Sequence, residues 1–268
     1  MTEGERISTG IAGLDLLLGG GLFPGRPYLL TGPNGSGRTL LSLQFLLEGI
    51  RKGEPVLLVA VDEPPHEILE NVRSLGWDLS KIHTMDATPG QLAYRRLGDL
   101  QEIKSLHDVK AMQDLGENLR RPNQATDEIS LQSIYLKLRR QMDVLPARRV
   151  VLDSLTSIRH FALRASPDKQ AERTEIQSLL RFLSEKEATT LVTARPPREN
   201  ELTPEQVLCR GEIVLRREWQ GHGMVRTLRV SRFRGSPHDA DEHPFTIDGK
   251  GVRVETGLPT PSLTPVLP

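Results

Sequence analysis

The chain has 268 residues, enough for one large α/β domain with a substantial core or at most two small ones. Lys+Arg and Asp+Glu each number 35, so no overall field draws the protein to nucleic acid, although a local basic patch stays open. The single cysteine, Cys209, excludes an internal disulfide and reads as a small core residue in a reducing compartment.

The opening residues, Met1 to Arg6, lack the basic and apolar regions of a secretory leader. No apolar run approaches the roughly 18 residues of a membrane span. A soluble cytoplasmic protein without membrane contact is expected.

In chain order, the apolar cluster Leu14 to Leu18 is followed by Gly19-Gly20-Gly21, a turn with unusual dihedrals. Tyr28 to Thr31 reads as a short buried strand. Thr39 to Lys52 carries Leu40, Leu43, Leu47 and Ile50 at helical spacing, and Gly53 is a plausible stop. Val56 to Val61 is a near-continuous apolar strand, the type covered on both faces. A helix over Glu67 to Leu75, ended by Gly76, and a strand over Ile82 to Met85 complete a β-α-β-α-β series. That series predicts a mostly parallel sheet with helices on both faces.

From Pro89 to Asp127 polar residues dominate, with helical hints at Asp99 to Met112, and a variable, exposed surface insertion is expected, a functional lid being the alternative. Helices follow at Leu131 to Met142 and Ala171 to Lys186, and strands at Arg148 to Asp153 and Thr189 to Thr193. Strands at Glu212 to Arg217, Val225 to Phe233 and Val252 to Glu255 predict an antiparallel C-terminal extension, with a turn at Gly221-His222-Gly223. Residues 1–256 are thus expected to form one domain. Gly257 to Pro268, with four prolines, reads as a disordered tail.

Gly32-Pro33-Asn34-Gly35-Ser36-Gly37-Arg38-Thr39 has the spacing of a phosphate-binding loop between a strand and a helix, and Leu40 continues into the helix. Glycines let the backbone wrap phosphates, and successive N–H groups with the helix N-terminus supply positive potential. A basic side chain then reaches the phosphates, and the hydroxyl of Thr39 binds Mg²⁺. A plain glycine-rich turn is the competing reading. Arg38 stands where lysine is expected, and its wide planar fork replaces a compact ammonium. Binding with slow hydrolysis follows as an expectation.

Asp153 ends an apolar strand, where an acid can hold Mg²⁺ through water opposite Thr39 or simply cap a helix. Asp62 and Glu63 lie just past the second strand, where parallel sheets open their ligand crevice. Glu63 is the preferred base toward an attacking water, with Asp62 in support. A solvated turn is the alternative.

The lead-in Ile7-Ser8-Thr9-Gly10-Ile11, then Gly13-Leu14-Asp15 and Leu17 to Leu22, resembles the start of a KaiC-type ATPase domain of the RecA/DnaB superfamily. Leu43-Gln44-Phe45-Leu46, Asp62-Glu63-Pro64-Pro65, Leu75-Gly76-Trp77-Asp78 and Leu152 to Ser157 continue the resemblance. So does Arg232-Phe233-Arg234-Gly235-Ser236-Pro237-His238. The resemblance implies a RecA-like fold, ATP and Mg²⁺ as cofactors, and hexameric rings with ATP at the subunit interface. It assigns Arg232, Arg234 and His238 to the neighbour's nucleotide and the Asp62–Glu63 pair to catalysis.

Arg38, Arg232 and Asp62 depart from the family's lysine, lysine and glutamate. Gln206-Val207 stands where the two-domain clock protein carries a phosphorylated Ser-Thr pair, which argues against clock-like autophosphorylation. Three functions follow: a slow ring ATPase, a non-catalytic ATP sensor engaging a signalling protein, and a RecA-like DNA motor. Neutral charge and the absence of an interleaved basic and aromatic stretch argue against the third.

Overall fold

A computed structural model describes residues 5–88, 131–165, 169–197, 203–221 and 223–257. The insertion expected at 89–127, residues 258–268 of the tail and His222 of the turn lie outside the described residues. The first half runs α1 (Ala12–Leu17), β1 (Pro27–Thr31), α2 (Arg38–Arg51), β2 (Val56–Ala60), α3 (Pro65–Asn71) and β3 (His83–Asp86). Then come α4 (Leu131–Val144), β4 (Arg149–Asp153), α5 (Leu155–Ala165), α6 (Lys169–Glu185) and β5 (Thr189–Ala194). The chain closes with α7 (Pro204–Leu208), β6 (Gly211–Gln220), β7 (Gly223–Phe233), β8 (His243–Asp248) and β9 (Gly251–Val254).

The apolar strands pair into one sheet in the order β3-β2-β4-β5-β1-β6-β7-β8-β9. Pairings from β3 to β6 are parallel, and those from β6 to β9 antiparallel. Every residue of β1, β2, β4 and β5 is buried, because consecutive side chains serve opposite faces. Leu30, Leu58, Val151 and Leu191 join Leu14, Leu43 and Phe45 in one core. Their neighbours Leu29, Leu57, Leu152 and Val192 join Leu138, Leu179 and Leu183 in the other. The predicted α/β architecture with helices on both faces and an antiparallel extension is the observed one. Cys209 is fully buried, and burial pushes its thiol far above the ordinary range.

Local differences have physical reasons. The helix predicted over Glu67 to Leu75 starts at Pro65, whose fixed φ suits a first helical position. It stops at Asn71, because Val72 leaves helical geometry at φ −104° and a 3₁₀ turn carries the chain to Gly76. Helices α1, α5 and α7 and strand β8 were not predicted. Helix α7 has five residues, too few for a periodic signal. Strand β8 contains Pro244, which reads as a break but is tolerated where β8 meets β7 over only two residue pairs.

Candidate nucleotide-binding site

The order of the strands puts β1 at the centre, between β5 and β6. Its C-terminal end, with those of β2, β4 and β5, opens on a cleft of about 500 Å³. Open α/β sheets bind ligands at such strand ends. Asn34, Gly35, Arg38, Thr39, Asp62, Glu63, Asp153 and Arg195 are among its lining residues.

The loop from Gly32 to Gly37 leads directly into α2, whose N-cap is Gly37 at φ 104°. Gly35 is also left-handed, at φ 73°. The left-handed φ at Gly37 favours glycine, and a Cβ there would also stand 2.9 Å from Ile247 Cδ1, which would have to shift. Pro33 and Asn34 are exposed, whereas the Ser36 hydroxyl is buried without a partner among the described residues. Leu40 turns toward the core beside α2's other apolar residues.

Strand β4 delivers Asp153 opposite the loop. One carboxylate oxygen accepts the Thr39 hydroxyl at 2.9 Å, and the other accepts the Thr193 hydroxyl. Burial raises the Asp153 pKa; the two hydroxyls oppose this, and the nearby Asp62 charge adds to it. A divalent cation between Thr39 and Asp153 would relieve that penalty. The hydroxyl–carboxylate pair, the orphaned Ser36 hydroxyl and the glycine cradle fit a magnesium-bound nucleotide.

Asp62 and Glu63 have different surroundings. Asp62 accepts Ser154 Oγ at 2.9 and 3.1 Å, which ties it to the end of β4. Among the described residues, Glu63 accepts only a 3.4 Å contact from the Asn71 amide and is exposed to the cleft. Its carboxylate is therefore the freer of the two to take a water.

A family model described as "ATPase: KaiC" matches residues 7–258. The chain belongs to the KaiC ATPase family. The circadian clock protein KaiC2 of Synechocystis sp. is 29% identical over 259 residues, covering 95% of this chain and 40% of that protein. The circadian clock oscillator protein KaiC of Synechococcus elongatus is 30% identical over 262 residues, covering 93% and 44%. The chain thus spans less than half the length of these curated relatives. The crystal structure of a KaiC-like protein from the hyperthermophilic archaeon Pyrococcus horikoshii OT3 shares the fold, with a TM-score of 0.70. That match has 24% identity and covers 94% of this chain and 99% of that one.

In this KaiC-family chain, Arg232, Arg234 and His238 do not join the cleft. The Arg234 N–H bonds Arg210 O, and the Arg210 N–H bonds Pro27 O at the start of β1, the end away from the loop. The Arg232 guanidinium donates to Gln206 O, and that of Arg234 to Val207 O at 2.8 Å, both at the C-terminal end of α7. His238 sits edge-on to the Phe233 ring at 6.3 Å. Sequence reasoning missed Ser154, Thr193 and Arg195. The strand over Thr189 to Thr193 was legible, and reading on past its C-terminal end would have reached Arg195.

Among the described residues no helix is long and apolar enough to cross a membrane.

Proposed function

We propose that this chain is a slow, Mg²⁺-dependent ATPase that works as a ring homo-oligomer, a hexamer by family resemblance, and regulates a signalling protein partner in the cytoplasm. Residues 1–256 act as its ATPase domain. The supporting observation is the Thr39 hydroxyl at 2.9 Å from a buried Asp153, with Asp62 and Glu63 on the adjoining strand end. Thr39 and Asp153 would hold Mg²⁺, and Gly32 to Leu40 would surround the phosphates. Bound Mg²⁺ supplies a counter-charge to the phosphate oxygens. Glu63 orients the attacking water, and Asp62, held by Ser154, keeps the strand end in register.

Arg232, Arg234 and His238 lie at the far end of the sheet from the cleft, so in this reading they act on a neighbouring subunit's nucleotide. A positive charge arriving that way neutralises the terminal phosphate in the transition state. The tethering of Arg38 supports a second reading, ATP binding without turnover. Neutral net charge argues against a DNA motor.

Phosphate release and solution mass, measured together with and without ATP and Mg²⁺, test the proposal. Glu63→Gln should abolish release while keeping ATP-dependent assembly. Mixing it with Arg234→Ala should restore part of the activity, because mixed rings contain some intact interfaces. Turnover unaffected by Glu63→Gln would sink the catalytic assignment, and a monomer under all conditions would sink the ring.

A further inference from the structure

The guanidinium of Arg38 is already engaged. Its Nη1 uses both hydrogens, on Gly32 O at 2.6 Å and Ala194 O at 2.7 Å, while Nη2 reaches Asn34 Oδ1 at 3.5 Å. The side chain clips the start of the loop to the end of β5, so much of its donor capacity points at backbone carbonyls. The cleft meanwhile gathers three carboxylates, Asp62, Glu63 and Asp153. A polyphosphate entering it needs a further positive group besides the metal.

Arg195 is the first residue after β5. Its backbone N–H is fixed by Thr156 Oγ1 at 2.9 Å, at the start of α5. Arg195 lines the same cleft as Thr39 and Asp153 and is an exposed residue. Among the described residues its guanidinium makes no hydrogen bond or salt bridge. It is close enough to act on Arg38, whose pKa is lowered first by burial and also by the Arg195 charge. Among the described residues, Arg217 also approaches the loop, donating to Asn34 O at 3.4 Å, but it is not one of the residues lining the cleft.

We propose that Arg195 takes the place of the missing loop lysine and contacts the terminal phosphate of the bound nucleotide, while Arg38 serves as a clip that shapes the loop. The proposal rests on the nucleotide-binding reading above. Its chemistry is a planar fork of N–H donors meeting phosphate oxygens at a strand end. The group that distinguishes a triphosphate from a diphosphate would then come from the residue that follows β5 and not from the loop.

Equilibrium binding of Mg-ATP and Mg-ADP to the full chain, with phosphate release alongside, tests this. A charge-assisted contact to one phosphate makes Arg195→Ala weaken ATP binding about 10- to 100-fold and ADP binding less than about threefold. Where wild type turns over, kcat falls as well. Arg195→Lys keeps the charge and restores most of the preference for ATP. The idea is overturned if Arg195→Ala keeps the wild-type ratio of ATP to ADP affinity, or loses both nucleotides equally. A wild-type chain that binds neither nucleotide overturns the ATPase reading and this proposal together. Wild-type binding with an unchanged ratio in Arg195→Ala overturns this proposal alone.

Discussion

Removing the Arg38 clip should cost stability before it costs chemistry. Arg38→Ala deletes two short hydrogen bonds from a cation, to Gly32 O at 2.6 Å and Ala194 O at 2.7 Å. Bonds to charged groups contribute about 1.5–3 kcal/mol each in buried settings. One feature reduces that figure: Ala194 O still accepts the Gly32 N–H at 3.3 Å once the guanidinium is gone. The net loss is about 2–3 kcal/mol, a large fraction of a marginal stability. At roughly 2–4 °C per kcal/mol for a chain of this size, the melting temperature drops by about 4–12 °C. Arg38→Lys is the informative contrast. Lysine is one atom shorter and cannot reach both carbonyls in the same way, so it too should melt below wild type. Its ammonium is free to turn into the cleft, so phosphate release should be equal to or faster than wild type. Thermal melts of the nucleotide-free proteins, paired with phosphate release, read both effects. An Arg38→Ala melt within about 1 °C of wild type would refute the clip.

Two further outcomes follow from the same structure. The raised pKa of buried Asp153 means the folded chain holds a proton that the unfolded chain releases, so stability falls as pH rises from the ordinary carboxylate range through the folded value. Asp153→Asn should flatten that slope in pH-dependent melts and leave the nucleotide-free variant at least as stable as wild type at pH 7. It should also lose the Mg-ATP stabilisation, about 2.7 kcal/mol at a hundredfold excess over Kd; a variant that keeps it contradicts the metal role. Further along α2, fully buried Arg149 pairs with Glu54 and donates to Ser8 O at 2.6 Å and Phe45 O at 3.2 Å. Arg149→Ala should destabilise by about 3–5 kcal/mol in urea unfolding, because it strands these partners, and a loss below about 1 kcal/mol would show the network to be dispensable.

The sequence made legible whatever depends on neighbours in the chain. Val56 to Val61 and Arg148 to Asp153 announce buried parallel strands because both of their faces must be apolar. The loop is legible because Gly35 and Gly37 stand where left-handed dihedrals are needed. The carboxylates could be assigned to the cleft because strand ends in a parallel sheet converge. Contacts between distant residues were not legible. Arg38 meets Ala194 across 156 residues of chain, and Thr39 meets Asp153 across 114. Arginine in place of lysine reads, from sequence, as a question about the shape of a phosphate ligand. In the folded chain it becomes a question about allocation, because the guanidinium spends its donors on two carbonyls. The second of those carbonyls belongs to the residue just before Arg195. The two arginines are thus coupled through one peptide of β5: the bond that draws Arg38 away from the phosphates also holds in place the strand end that carries the cation able to replace it.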